Sequence, residues 1–277
     1  GMAIAYGLAR AGERVRLLDE GDVAFRAARG NFGLVWVQGK GQGNPAYARW
    51  TIAAARVWPA FAQELAARTG VDVELSQIGG LTICLDDAEL AERAAYLATV
   101  RVEIGGDYPF EVLDHAGVRA LSPHIGPAVA GAVFCPMDGH VSPLRLLRAL
   151  VQGFESLGGE LCAGIHIENI AQRQGQFHVR ARGIDHVAGK VVLAAGLGNR
   201  ELAPRVGLKA PVNPVRGQIL VSERVQPFLR HPSQHVRQTG EGVVQIGDSK
   251  EDVGFDDGTT LAQLARIGSA KWVGEDA

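Results

Sequence analysis

Asp19 closes a short apolar run, Val15 to Leu18, that follows a helix-forming stretch opening at Gly1. An acid at the end of such a strand, about 20 residues after a helix-opening glycine, is placed to accept hydrogen bonds from ribose hydroxyls. Glu20 sets a second carboxylate beside it. Much later, Lys190-Val191-Val192-Leu193-Ala194-Ala195-Gly196-Leu197-Gly198-Asn199 drives an apolar strand straight into small residues. Side chains as small as those of Ala195 and Gly196 let a backbone lie flat against a large planar group. Each feature alone also has a plainer reading. An ordinary βαβ half ends in an acid too, and Gly1 is equally a residue left before a start at Met2.

Between them lies Ala28-Arg29-Gly30-Asn31-Phe32-Gly33-Leu34-Val35-Trp36. Backbone N–H groups at Asn31, Gly33 and Leu34 are suited to phosphate or ring oxygens, and Arg29 to offsetting phosphate charge. A surface turn with a solvated arginine would read the same. In Gly131 to Pro143, Asp138-Gly139 makes a turn, and Ser142-Pro143 is a good N-cap and first helical residue. His140 beside that turn is either an acid–base group or, as a lone histidine more often is, a structural hydrogen-bonder. In Pro214-Val215-Arg216-Gly217-Gln218, Arg216 and Gln218 are substrate-side candidates. A buried arginine in such a place more often ties strands together.

The elements that must position these groups follow from periodicity. Met2 to Ala11 has Met2, Ala5, Tyr6 and Ala9 at helical spacing, with Gly12 as its stop. Ala46 to Arg68 predicts a long helix that Pro59 bends. Helices are expected over Asp87 to Val102 and Pro143 to Leu157. Strands are expected at Leu81 to Leu85, Gly131 to Cys135, Ile165 to Ala171, Gln176 to Arg182, Val191 to Ala194, Gly217 to Glu223 and Gly242 to Gly247. The run from Thr259 to Val273 starts as a helix.

The chain has 277 residues, 47% hydrophobic, enough for a sizeable core and two domains. A net charge of −2 lacks the basic excess that nucleic-acid binding needs. Cys84, Cys135 and Cys162 form no C-x-x-C pair, which argues against zinc and for a reducing, cytoplasmic compartment. No metal site is expected. His231 and His235 are four apart, but Pro232 spoils a helical metal pair. No phosphate-binding G-x-x-x-x-G-K-[ST] loop, no G-x-S-x-G elbow and no apolar run of membrane length occurs.

In this order, the acid at Asp19, the glycines at 30–33, the "P-x-D-G-x-V-x-P" passage, "VVLAAG", "PVRGQ" and Gly247-Asp248-Ser249 with Gly254-Phe255-Asp256 resemble the D-amino-acid oxidase-like family of FAD-dependent oxidoreductases. The resemblance runs from Gly1 to about Ala265. It implies an α/β fold with a discontinuous Rossmann-like FAD-binding domain, residues 1–70 and 140–208. An α+β substrate domain with a large mixed sheet would take residues 71–139 and 209–277. It implies FAD, held by Gly1, Asp19, Glu20, Arg29, Asn31, Gly33, Leu34, Ala195, Gly196 and, against adenine, Ile167. It implies oxidation of a small amine or D-amino acid by hydride transfer to flavin N5. The alternatives are a related 2-hydroxy-acid dehydrogenase and an inactive truncated product. Family members carry one strand before the position of Gly1 and extend well past that of Ala277, so the chain is expected to be a fragment, with any partner subunit or electron acceptor unspecified.

Overall fold

The computed structural model describes residues 1–21, 27–28, 30–247, 249–256 and 258–268, the last four without their side chains. Helix α1 (Met2–Arg10) buries Ala5, Tyr6 and Ala9 and delivers the chain through Gly12 to strand β1 (Arg16–Asp19). Strand β2 (Leu34–Val35) leads to α2 (Pro45–Thr69), which Asn44 caps by accepting from the Tyr47 N–H and Gly70 ends in the left-handed region. Pro59 lies inside α2 as expected.

Strand β3 (Gly80–Cys84) is buried throughout. Asp86 then caps α3 (Asp87–Ile104), while Glu89 reaches back to the Leu85 N–H at 2.9 Å. This reciprocal cap fixes where the strand stops and the helix begins. Strand β4 (Glu111–Asp114) runs into α4 (His115–Leu121), and β5 (Gly131–Cys135) into β6 (Gly139–His140) and α5 (Pro143–Ser156). Strands β7 (Glu160–Ala163), β8 (Asn169–Arg173), β9 (Gln176–Ala181) and β10 (Ile184–Ala188) follow. Gln174 and Gly175, both at positive φ, make the tight β8–β9 turn. A short α6 (Asn199–Leu202) precedes β11 (Leu220–Arg224), β12 (Val236–Gln238), β13 (Val243–Ile246) and α7 (Leu261–Gly268).

Two packing centres organise these pieces. In the first, α1, α2 and α5 bury Tyr6, Leu65, Val73, Ala149, Leu150 and Phe154. Gly153 is required there, because a Cβ on it would stand 2.7 Å from the Tyr6 ring. Below them β1 pairs in parallel with β7, from Arg16 opposite Glu160 to Asp19 opposite Ala163. In the second, α2 and α3 cover the antiparallel sheet β3-β5-β4 through Val35, Ile52, Leu97, Val100, Tyr108 and Val133. The β8–β10 meander and the sheet β11-β13-β12 stand beside these, the latter joined to β3 by a parallel bridge from Leu81 to Ser233.

Three expectations need correction. The strand expected at Ile165–Ala171 begins only at Asn169. Before it, Ile165 donates to the Asp19 carbonyl and Glu168 to the Arg180 carbonyl, so the chain here spans between two sheets rather than lying in one. Val191–Ala194 is neither a paired strand nor buried. Val192 is 54% exposed, and the segment has no ladder partner among the described residues. A strand is defined by a neighbour about 4.8 Å away, and what lies alongside Ala194 is Gly1, whose Cβ would sit 3.7 Å from it. Finally, in place of one large sheet, the described residues of 71–139 and 209–268 form small sheets, β3-β5-β4 and β11-β13-β12, whose mixed character comes from the parallel bridge between Leu81 and Ser233.

Candidate functional site

Helix α1 and strand β1 run in opposite senses, so the start of the helix and the end of the strand face the same way. That common edge gathers the first group of residues. Gly1 is the N-cap of α1 and provides no side-chain cap, which leaves first-turn N–H groups directed outward. Asp19 accepts from the Gly21 N–H at 3.0 Å through Oδ1. Glu20 bonds His166 Nδ1 at 2.6 Å on the surface. Ile167 lies half-buried in the span between β1 and β8, brought to this edge by the bond from Ile165 to Asp19. Ala195 donates to Asn199 Oδ1 at 3.2 Å, and Gly196 takes φ +56 at the turn into α6. A dipole-positive helix end with free N–H donors, a carboxylate acceptor and an adjoining small-residue turn suit a pyrophosphate, ribose hydroxyls and a flat base respectively.

A second group forms where β2 meets β6. Asn31 accepts from the Gly33 N–H at 2.6 Å, and Gly33 in turn accepts from the Val141 N–H at 2.8 Å. Gly33 has φ +84, and a Cβ there would come within 2.5 Å of the Val141 oxygen. Leu34 pairs with His140. Arg29 lies outside the described residues. Phe32 packs against Gly247, where a Cβ would be 3.1 Å from its ring, and under the guanidinium of Arg237 at 5.7 Å. The sheet β11-β13-β12 therefore closes directly on the 30–35 segment.

His140 is buried. Its backbone exchanges both hydrogen bonds with Ser76, and its Nδ1 lies 3.0 Å from Arg237 Nη1. Burial, reinforced by that cation, pulls its pKa down to about 4, so it is neutral at physiological pH. Beside it, Asp138 is buried and bonded through Oδ1 to the Val37 N–H, while Oδ2 has no described partner. Burial raises its pKa to about 7 despite that N–H and Gln38.

Arg216 and Gln218 belong to a third cluster. Arg216 grips Glu251 in a fork, Nε to Oε2 at 2.9 Å and Nη2 to Oε1 at 3.1 Å, and reaches Asp256 Oδ2 at 2.8 Å. Gln218 adds a bond to Glu251 Oε2 at 2.9 Å, and its N–H donates to Ser249 Oγ at 2.7 Å. The structure thus joins "PVRGQ" to the 249–256 segment. Asp248 lies outside the described residues.

Sequence reasoning passed over Arg237 and Gln245. Arg237 is the largest fully buried side chain, at 1% exposure. Burial lowers its pKa to about 10, with Glu74 opposing. The polar run His231 to Gln238 concealed β12. The signal available was the alternation of Val236 and Gln238 with His235 and Arg237.

Residues 1–270 match the FAD dependent oxidoreductase (DAO) family, and the chain belongs to that family. It is an FAD-dependent oxidoreductase by membership. It is 42% identical over 252 residues to an opine oxidase subunit of Agrobacterium tumefaciens, a match covering 91% of this chain and 68% of that one. It is 28% identical over 232 residues to the hydrogen cyanide synthase subunit HcnC of Pseudomonas aeruginosa, covering 80% and 54%. Among solved structures, glycine oxidase from Geobacillus kaustophilus superimposes with a TM-score of 0.87 at 25% identity, covering 99% of this chain and 77% of that one.

Proposed function

We propose that this chain is the flavin-bearing part of an enzyme that oxidises a small secondary amine of the opine kind, with D-amino acids and glycine as the neighbouring substrate class. The observation that carries this is the 42% identity to an opine oxidase subunit, sustained over 252 residues. When bound, FAD supplies the two-electron acceptor for the hydride released from the nitrogen-bearing carbon, and water would hydrolyse the resulting C=N bond. The chain's own residues bind and orient. Gly1 would receive the pyrophosphate at the start of α1, Asp19 and Glu20 would bond the ribose, and Ile167 would lie along the adenine. Ala195 and Gly196 would abut the dinucleotide, and Asn31, Gly33 and Leu34 would present backbone toward the flavin. Neutral His140 with Arg237 and Gln245 closes the opposite wall. Arg216 and Gln218 support that wall through Glu251.

The same reading divides the chain into an FAD-binding domain, 1–70 and 140–208, and a substrate domain, 71–139 and 209–277. It also gives the chain a partner, since two of its relatives are named as subunits. The cytoplasm fits its three free cysteines. No described helix is long and apolar enough to cross a membrane.

The test is a visible spectrum of the purified chain after FAD loading and removal of unbound flavin. Anaerobic addition of an opine, sarcosine, D-alanine or a 2-hydroxy acid follows. Bleaching of the flavin band by the opine is the expected outcome. Bleaching by the hydroxy acid alone would replace this reading with a 2-hydroxy-acid dehydrogenase. A colourless protein would make this chain inactive by itself.

A further inference from the structure

Arg237 sits in β12 with every described partner neutral. Nη1 donates to His140 Nδ1 at 3.0 Å and to the Val141 carbonyl at 3.1 Å, and Nε donates to Gln245 Oε1 at 3.0 Å. No carboxylate bonds it among the described residues. Glu74, whose charge acts on it from a distance, is held by Arg145 at 3.2 Å. Arginine only donates, so each contact has one possible direction. His140 Nδ1 must offer its lone pair, which leaves the ring proton on Nε2. Gln245 must offer its oxygen, which leaves the amide NH2 pointing away from the guanidinium. Neither His140 Nε2 nor Gln245 Nε2 has a partner among the described residues, and neither is a fully buried orphan. The result is a net positive charge with two flanking donors and no competing acceptor, on the sheet face that meets Phe32.

We propose that Arg237 is a positioning residue that locks His140 and Gln245 as hydrogen-bond donors toward a carboxylate-like anion bound at the inner face of the β11-β13-β12 sheet. The anion has two chemically equivalent sources: the carboxylate of an amino-acid-derived substrate, and the delocalised N–C–O edge of the reduced flavin. The inference rests on the flavoenzyme reading for the identity of the anion, and on β12 alone for the donor geometry.

The experiment is side-chain nitrogen NMR of the whole chain labelled at histidine and glutamine, titrated with sodium acetate against sodium chloride at matched ionic strength. His140 is expected as the Nε2–H tautomer, and acetate is expected to shift His140 and Gln245 together. Arg237→Met should release His140 into a tautomer mixture and weaken the acetate response at least tenfold. Arg237→Lys restores the charge without the fork and should leave the tautomer mixed. Gln245→Leu removes a partly exposed donor, keeps Arg237, and should abolish most of the acetate response in a folded protein. A His140 tautomer unmoved by Arg237→Met, full rescue by lysine, or an acetate response indifferent to Gln245→Leu would each overturn the proposal. In the FAD-loaded protein, sulfite binding weakened by Arg237→Met with acetate inert assigns the anion to the flavin edge. Acetate competing with the amine substrate assigns it to the substrate. Failure of every amine to bleach the flavin while acetate still shifts both side chains would reject the amine-oxidation reading and leave this one standing.

Discussion

The residues proposed to hold FAD are fixed by very short-range chemistry, and that makes the effect of their loss predictable. Asp19 is pinned by the Gly21 N–H at the end of a parallel strand. Asp19→Ala should weaken FAD binding about tenfold or more, as expected for losing hydrogen bonds to a charged group. The melting point of the cofactor-free protein should change little. Fluorescence quenching on FAD titration checks this, and unchanged affinity would remove Asp19 from the site. Glu20→Gln breaks only an exposed pair with His166 and should change stability by less than about 1 kcal/mol. Gly33→Ala is different in kind. It places a Cβ against backbone at a positive φ, so a loss of about 2 kcal/mol or more in urea unfolding is expected. Asp19, the small residues at 195–196 and the glycine at 33 stand out in the sequence as candidates because acidity and smallness are read directly from residue type. Arg237 does not, because nothing in an isolated arginine says that two acceptors 97 and 96 positions earlier, at His140 and Val141, will join Gln245 of the neighbouring strand around it.

At the level of elements, the long helices α1, α2, α3 and α5 and the buried strands β3 and β5 were read within a few residues, since a period of 3.6 or a fully apolar run survives without tertiary context, whereas the short helices α4 and α6 were missed. The misread segments are those whose conformation depends on a neighbour. Val191–Ala194 has the composition of a buried strand but lies next to Gly1 rather than in a ladder. β12 is polar in sequence and buried in fact, because Arg237 and Gln238 satisfy themselves internally. The β5–β6 turn carries a measurable consequence. Asp138 faces Val37 and Gln38 of the segment before α2, Arg93 of α3, Tyr108, and Cys135 of its own hairpin. Its folded pKa lies above its unfolded one. The folded state therefore holds the proton more tightly, and this contribution to stability is lost as pH rises from about 4 to about 7. His140 works in the opposite direction over an overlapping range, because its folded pKa is depressed to about 4. Only a difference isolates the acid. Between pH 4.5 and 8, Asp138→Asn should gain urea stability relative to wild type as pH rises, levelling off above pH 7. A pH-independent difference would show that Asp138 is ionised throughout.

For the molecule as a whole, the second packing centre, through Val35, and the sheet β11-β13-β12, through Phe32, meet along the 30–35 segment, so a ligand held there and the fold are linked. Any ligand taken by the native state alone raises stability by mass action. FAD at 100 times its dissociation constant should add about 2.7 kcal/mol, read as a rise in melting temperature that falls by about half or more in Asp19→Ala at the same FAD concentration. Co-expression with a candidate partner subunit followed by size-exclusion chromatography tests whether the assembly implied by its relatives extends to this chain. The parallel pairing of β1 with β7 has a consequence in time. Arg16 meets Glu160 across 144 positions of chain. At about 5–20 residues per second on the ribosome, β1 waits roughly 7–30 s for its partner to be made. Through that interval α1 and β1 have no finished surface to close on, so the nascent chain should depend on chaperones until residue 163 has emerged. Moving β7 next to β1 by circular permutation should shorten that dependence.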